Sequence, residues 1–171
     1  QLYRIDIEKR EATEFADTGG FVLGIAMDAQ HNVYACDAGN RAVMKITPGG
    51  DVSTYSSGAT GEPFKTPNYP AFDLEGNLFV CDSGDWKADN GRIFKISPGG
   101  ETEVWDRRQK EFPNGLCLGP DGSSLYIAMS VNPPRVNWVS INSDGIAPQF
   151  TRVDCPKTPI MIILRGESPI K

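Results

Sequence analysis

Short runs of alternating apolar and polar residues, each closed by a turn containing Gly, Pro or Asp, make up nearly all of this chain. Phe112 to Ala128, FPNGLCLGPDGSSLYIA, shows the pattern. Asn-Gly opens an apolar run, Gly-Pro-Asp-Gly reverses the chain, and Leu-Tyr-Ile-Ala is a second β-prone run, so the stretch predicts strand, tight turn, strand. A similar phrase occurs twice upstream, as LGIAMDAQHNVYAC over Leu23 to Cys36 and NYPAFDLEGNLFVC over Asn68 to Cys81. After each comes a second kind of hairpin: AVMKITPGGDVSTY from Ala42, RIFKISPGGETEVW from Arg92, and RVNWVSINSDGIAPQF from Arg135. The opening QLYRIDIEKREATEF matches this second kind, so the chain begins halfway through a repeat.

Asp28 and Asp73 stand 45 positions apart. Repeats of about 40 to 50 residues with four short strands each are the mark of β-propeller blades. The predicted fold class is therefore all-β, a propeller of about three and a half four-stranded blades. Antiparallel order then fixes which residues can meet. Within each blade the first and third turns lie at one end of the molecule, and the middle loops lie at the other with the links between blades. The first turns, AQHN, LEGN and PDGSS, are short and polar, as are the third turns. The middle loops vary: DAGNR, DSGDWKADNGR and MSVNPPR. Repeat architectures carry binding residues on the end whose loops differ.

Composition narrows the function classes. A net charge of -5 argues against a nucleic-acid surface, which needs a basic stripe to neutralise phosphates. The longest apolar run, Ile160 to Leu164, is far short of the roughly 20 residues that span a bilayer, so no membrane partner is expected. The four cysteines have neither disulfide-scaffold nor zinc-site spacing and are read as reduced, with a cytoplasmic setting favoured. Cys36 and Cys81 share one repeat position late in a buried strand, where a small apolar side chain packs well.

Asn68 and Asn114 hold equivalent positions at the start of the first strand of their repeats, with Leu23 as their counterpart. Both are expected at the mouth of the channel, on the variable-loop end. An amide oxygen is a neutral hard ligand for Ca²⁺, Mg²⁺ or Mn²⁺, and it equally accepts a hydrogen bond from a polar substrate. Turn capping is the other reading, since Pro-Asn and Asn-Gly are turn chemistry. Asp37, Asp82 and Asp85 could orient a substrate or simply shape their loops, and Trp86 could line the mouth or cover a blade edge. His31 falls at the opposite end, so a Ser-His-Asp hydrolase is not expected. Gly49-Gly50 and Gly99-Gly100 lack a following helix pattern and read as hairpin turns rather than phosphate loops.

Taken together, FPNGLCLGPDGSSLYIAMS, PNYPAFDLEGNLFVCDSG, NGRIFKISPGGETEVW and GIAMDAQHNVYACDAGNRAVMKI resemble the senescence marker protein / gluconolactonase / luciferin-regenerating enzyme family over roughly Leu2 to Pro159. That resemblance implies a six-bladed propeller that hydrolyses a small-molecule lactone with one divalent metal ion in its channel. Ca²⁺ is the leading candidate, with Mg²⁺, Mn²⁺ or Zn²⁺ as alternatives. It implies that Asn114 is a metal ligand and that Asn68 contacts substrate or metal-bound water.

The chain also departs from the family pattern. The other expected ligands are a Glu in the first blade, before the point where this chain starts, and an Asp in a later Asp-Gly-Leu phrase. Where that phrase is due, after Lys157-Thr158-Pro159, the chain reads IMIILRGESPIK, which puts Ile160 at the Asp position. Tyr69 replaces the usual Asp of a Pro-Asn-Asp phrase. The expectation is a partial propeller over residues 1–159, an atypical tail over 160–171 from a truncated or altered reading frame, and an incomplete ligand set. The 171-residue chain alone should then be inactive and bind metal weakly. Two competing readings are a non-catalytic propeller that binds a protein or glycan, and a strictosidine-synthase-like propeller whose catalytic Glu has no counterpart here.

Overall fold

The computed structural model describes residues 1–141 and the backbone of Val153–Asp154, and these residues are all-β. Strands β1 (Leu2–Asp6) and β2 (Glu11–Ala16) form a two-stranded sheet. Next comes a four-stranded antiparallel sheet of β3 (Val22–Met27), β4 (Val33–Asp37), β5 (Ala42–Ile46) and β6 (Val52–Ser56), paired in chain order. A small hairpin, β7 (Gly58–Ala59) with β8 (Glu62–Pro63), leads into a second such sheet: β9 (Pro67–Phe72), β10 (Leu78–Asp82), β11 (Arg92–Ile96) and β12 (Thr102–Asp106). The third contains β13 (Pro113–Leu118), β14 (Ser124–Met129), β15 (Arg135–Ser140) and β16 (Val153–Asp154). This is the half blade and three full blades of a propeller. Residues 160–171, assigned to an atypical tail, lie outside the described residues.

Three apolar layers hold neighbouring blades together. Leu2 and Ala16 of the half blade pack on Val33, Ala35, Met44 and Ile46 of the first full blade. Cys36, Val43 and Tyr34 meet Leu78, Val80 and Phe94 of the second. Phe79, Cys81 and Ile93 meet Leu116, Ile127 and Val139 of the third. Cys36 and Cys81 are fully buried free thiols, and burial pushes both well above the usual thiol range. They are inert packing groups, as their repeat position predicts.

The fourth strands β2, β6 and β12 each carry a bulge occupied by an aromatic residue. Tyr55 and Trp105 are the extra residues in β6 and β12, and Phe15 is the extra residue in β2. A bulge turns its side chain out of the strand's alternation. Tyr55 meets Tyr34 edge-to-face at 4.8 Å, and Trp105 meets Phe79 in the same way at 4.9 Å. Because Tyr34 and Phe79 hold the same position in β4 and β10, this is one repeated contact.

The first turns close on aspartate. Asp28 accepts from the backbone N–H of Gln30 and Asn32, and Asp73 from that of Glu75 and Asn77. In the third blade Gly119 takes the equivalent backbone position, while Asp121, two residues later, binds Ser123 and Ser124. Gly50 and Gly100 adopt positive φ (94° and 90°) in matching hairpin turns, the role expected for the Gly-Gly pairs.

Candidate functional site

The three first strands lie side by side at the inner edge, with β9 between β3 and β13. They come so close that a Cβ on Gly24 would stand 2.6 Å from the backbone oxygen of Asn68. The same bulge recurs near the start of each. In β9, Pro67 pairs with Asp82 and Tyr69 with Cys81, which leaves Asn68 as the extra residue. In β13, Pro113 pairs with Met129 and Gly115 with Ala128, which leaves Asn114. In β3 the register slips between Val22, opposite Asp37, and Ile25, opposite Ala35, so Leu23 falls at the same place.

Both asparagines therefore sit on the inner strands, and neither caps a turn. Their end of the molecule is fixed by three equivalent backbone hydrogen bonds, Ala38 to Phe21, Ser83 to Thr66 and Ser130 to Phe112, which tie each middle loop to the preceding link. His31 lies at the other end, in the β3–β4 turn.

A serine supports each asparagine. Asn68 Nδ2 donates to Ser83 Oγ at 3.0 Å, and Asn114 Nδ2 donates to Ser130 Oγ at 3.0 Å. Among the described residues no donor reaches either Oδ1. Asn68 is 9% exposed, and Asn114 is open to solvent. The two amides thus present anchored nitrogens and free neutral oxygens. Sequence reasoning missed the serines, although their signal was present: both follow the second strand, where the first blade has Ala38.

The aspartates nearby have structural work. Asp37 is fully buried and accepts from the N–H of Phe21 at 2.8 Å and of Asn40 at 2.9 Å. Burial alone would raise its pKa, but hydrogen bonds from Thr18, Asn40 and Phe21 prevail and hold it below the usual carboxylate value. Asp82 is likewise buried, accepting from the N–H of Lys65 and Thr66. These carboxylates shape the loop ends. Asp85 is surface-exposed and held by Lys65 Nζ at 2.7 Å and Asn90 Nδ2 at 2.8 Å.

The rim is built from the links and the long second loop. Trp86 is 62% exposed, with its ring edge-to-face on Phe112 at 4.8 Å. Phe112 itself adopts φ 58° two residues before Asn114. Asn132 Nδ2 lies 3.4 Å from Asp89 Oδ1, which joins the second and third loops. Arg92 and Arg135, at the start of equivalent third strands, pair with Glu62 and Glu111 of the preceding links at 2.9 and 2.8 Å. Among the described residues no three His, Cys, Asp or Glu side chains converge on one point.

Repeated four-stranded blades joined face to face, with their first strands side by side at the inner edge, define a β-propeller. The sequence profile of the SMP-30/Gluconolactonase/LRE-like region matches residues 1–155, and the chain belongs to that family. It is 30% identical over 144 residues to protein strictosidine synthase-like 3 of Arabidopsis thaliana, and 28% identical over 147 residues to a gluconolactonase of Zymomonas mobilis. These alignments cover 75% and 79% of this chain but only 37% and 40% of the relatives, so the chain spans less than half their length. The solved gluconolactonase of Xanthomonas campestris superposes with a TM-score of 0.71 at 20% identity, over 82% of this chain and 51% of that one. This last likeness is one of fold.

Proposed function

We propose that the whole protein hydrolyses a small lactone with the help of one divalent metal ion, with Asn114 among the metal's ligands and Asn68 contacting the substrate. The observation that supports this reading is the pair of neutral oxygens on adjacent inner-strand bulges, each with its amide nitrogen anchored on a serine. Hard neutral oxygens suit Ca²⁺ best among the candidates, then Mg²⁺ and Mn²⁺, whereas Zn²⁺ favours nitrogen and sulfur. When bound, such an ion polarises a carbonyl and lowers the pKa of a water. Asn68, with its Nδ2 committed to Ser83, has Oδ1 left to accept from a substrate hydroxyl or a water. Asp37 is committed to the N–H groups of Phe21 and Asn40 and to Asn40 Nδ2, and Asp82 to the N–H groups of Lys65 and Thr66, so neither is offered as the base.

A pH-stat assay on gluconolactone with the whole protein tests this, with and without added Ca²⁺ and after chelation. Turnover that falls on chelation and returns with the ion is expected. Asn114→Ala should lower kcat at least about 100-fold, and Asn68→Ala should mainly raise KM. Absence of lactone turnover, or an Asn114→Ala variant as active as the parent, would overturn the assignment. The 30% identity to the strictosidine synthase-like relative supports a second reading, a propeller enzyme acting on a different substrate class. In that case gluconolactone would not be turned over at all.

A further inference from the structure

We infer that Ser83 is a positioning residue for the candidate site: its hydroxyl fixes the amide of Asn68 with the oxygen outward and ties it to the strand that carries Asn114. This inference rests on Asn68 and Asn114 serving the proposed function.

The polarity of one short hydrogen-bond chain carries the argument. Asn68 Nδ2 donates to Ser83 Oγ at 3.0 Å, and Ser83 Oγ donates to the backbone oxygen of Pro113 at 2.7 Å. A hydroxyl has a single proton. With that proton on the Pro113 oxygen, Ser83 can offer Asn68 only a lone pair. Flipping the amide would set Oδ1 against that lone pair and orphan a buried acceptor. Ser83 is 1% exposed, so the partner cannot readily be replaced by solvent. Pro113 immediately precedes Asn114, and the chain therefore joins the bulge of β9 to that of β13.

Comparison of the blades separates this role from a purely structural one. Ala38 takes the place of Ser83 in the first blade, and its N–H still bonds Phe21 at 2.9 Å, as the N–H of Ser83 bonds Thr66 at 2.9 Å. The loop start forms without a hydroxyl. What the first blade lacks is the amide, since Leu23 stands on its bulge. In the third blade the amide and the hydroxyl return together as Asn114 and Ser130. Within this chain the serine follows the asparagine and not the fold.

The test uses the whole protein with Ser83→Ala, Asn68→Ala and the double variant. NMR exchange of the Asn68 side-chain amide protons reports the anchor directly, and it is expected to quicken about tenfold or more in Ser83→Ala. Gluconolactone turnover should fall about tenfold or more in Ser83→Ala and fall no further when that change is added to Asn68→Ala, because one acts through the other. Unchanged exchange, or losses that multiply in the double variant, would overturn the proposal. If Ser83→Ala does not fold, Ser83→Cys, which puts a weak sulfur acceptor in place of the hydroxyl, makes the same measurement on the Asn68 amide. Should the parent protein turn over no lactone, the functional reading fails by itself and the exchange rates still decide the role of Ser83.

Discussion

A single acceptor at the end of a strand does much of the local structural work in the first blade. Asp37 gathers the N–H groups of Phe21 and Asn40, and any Cβ on Gly20 would collide with its carboxylate. Asp106 plays a comparable part farther along. Burial would raise its pKa, yet hydrogen bonds from Arg108 and Gln109 hold it below the ordinary 3.8. Groups with depressed folded-state pKa values stabilise the native state fully above the unfolded value, and that contribution is lost as pH falls through the folded value. The protein should therefore lose stability below about pH 4. Asp37→Ala should cost about 1–3 kcal/mol at pH 7 by leaving buried N–H groups without an acceptor. Urea unfolding at pH 7 and pH 3.5 would check both, with the gap between parent and variant narrowing at the lower pH.

At the scale of elements, the link between the first and second blades is more ordered than its sequence suggests. Gly58 and Gly61 take positive φ around a hairpin too short to show alternation, and Phe64 then drops into the core against Phe94 at 4.5 Å. Because Phe64 is almost completely buried between two blades, Phe64→Ala should cost about 3–5 kcal/mol and lower the thermal midpoint without altering the strand signal of the folded state. A variant as stable as the parent would show that the link is dispensable. The blades themselves were legible because their hairpins repeat in register, and that register also placed Asn68, Asn114 and His31 at the correct ends. It could not reveal the bulges. A single unpaired residue leaves no trace in an alternation pattern only five or six residues long, so the role of the fourth-strand aromatics Tyr55 and Trp105 became visible only once strands were paired. The aspartates stayed open between two readings for a related reason: Asp-x-Gly describes a loop whether its carboxylate faces a ligand or the backbone.

For the molecule as a whole, the described part of the axial site offers oxygen without charge. Divalent-ion affinity at oxygen sites follows the number of charged ligands. The 171-residue polypeptide by itself is accordingly expected to bind Ca²⁺ with a dissociation constant of about a millimolar or weaker, and calorimetric titration would expose a tighter 1:1 site if one exists. The recurring bulge of the inner strands has a use of its own. A residue outside the pairing pattern can be exchanged without disturbing any strand, so an evolving ring can rewrite its axial chemistry one blade at a time. Leucine in one blade and asparagine in the next two are alternative letters in the same slot, and selection for a new substrate could act on those letters while leaving the walls untouched.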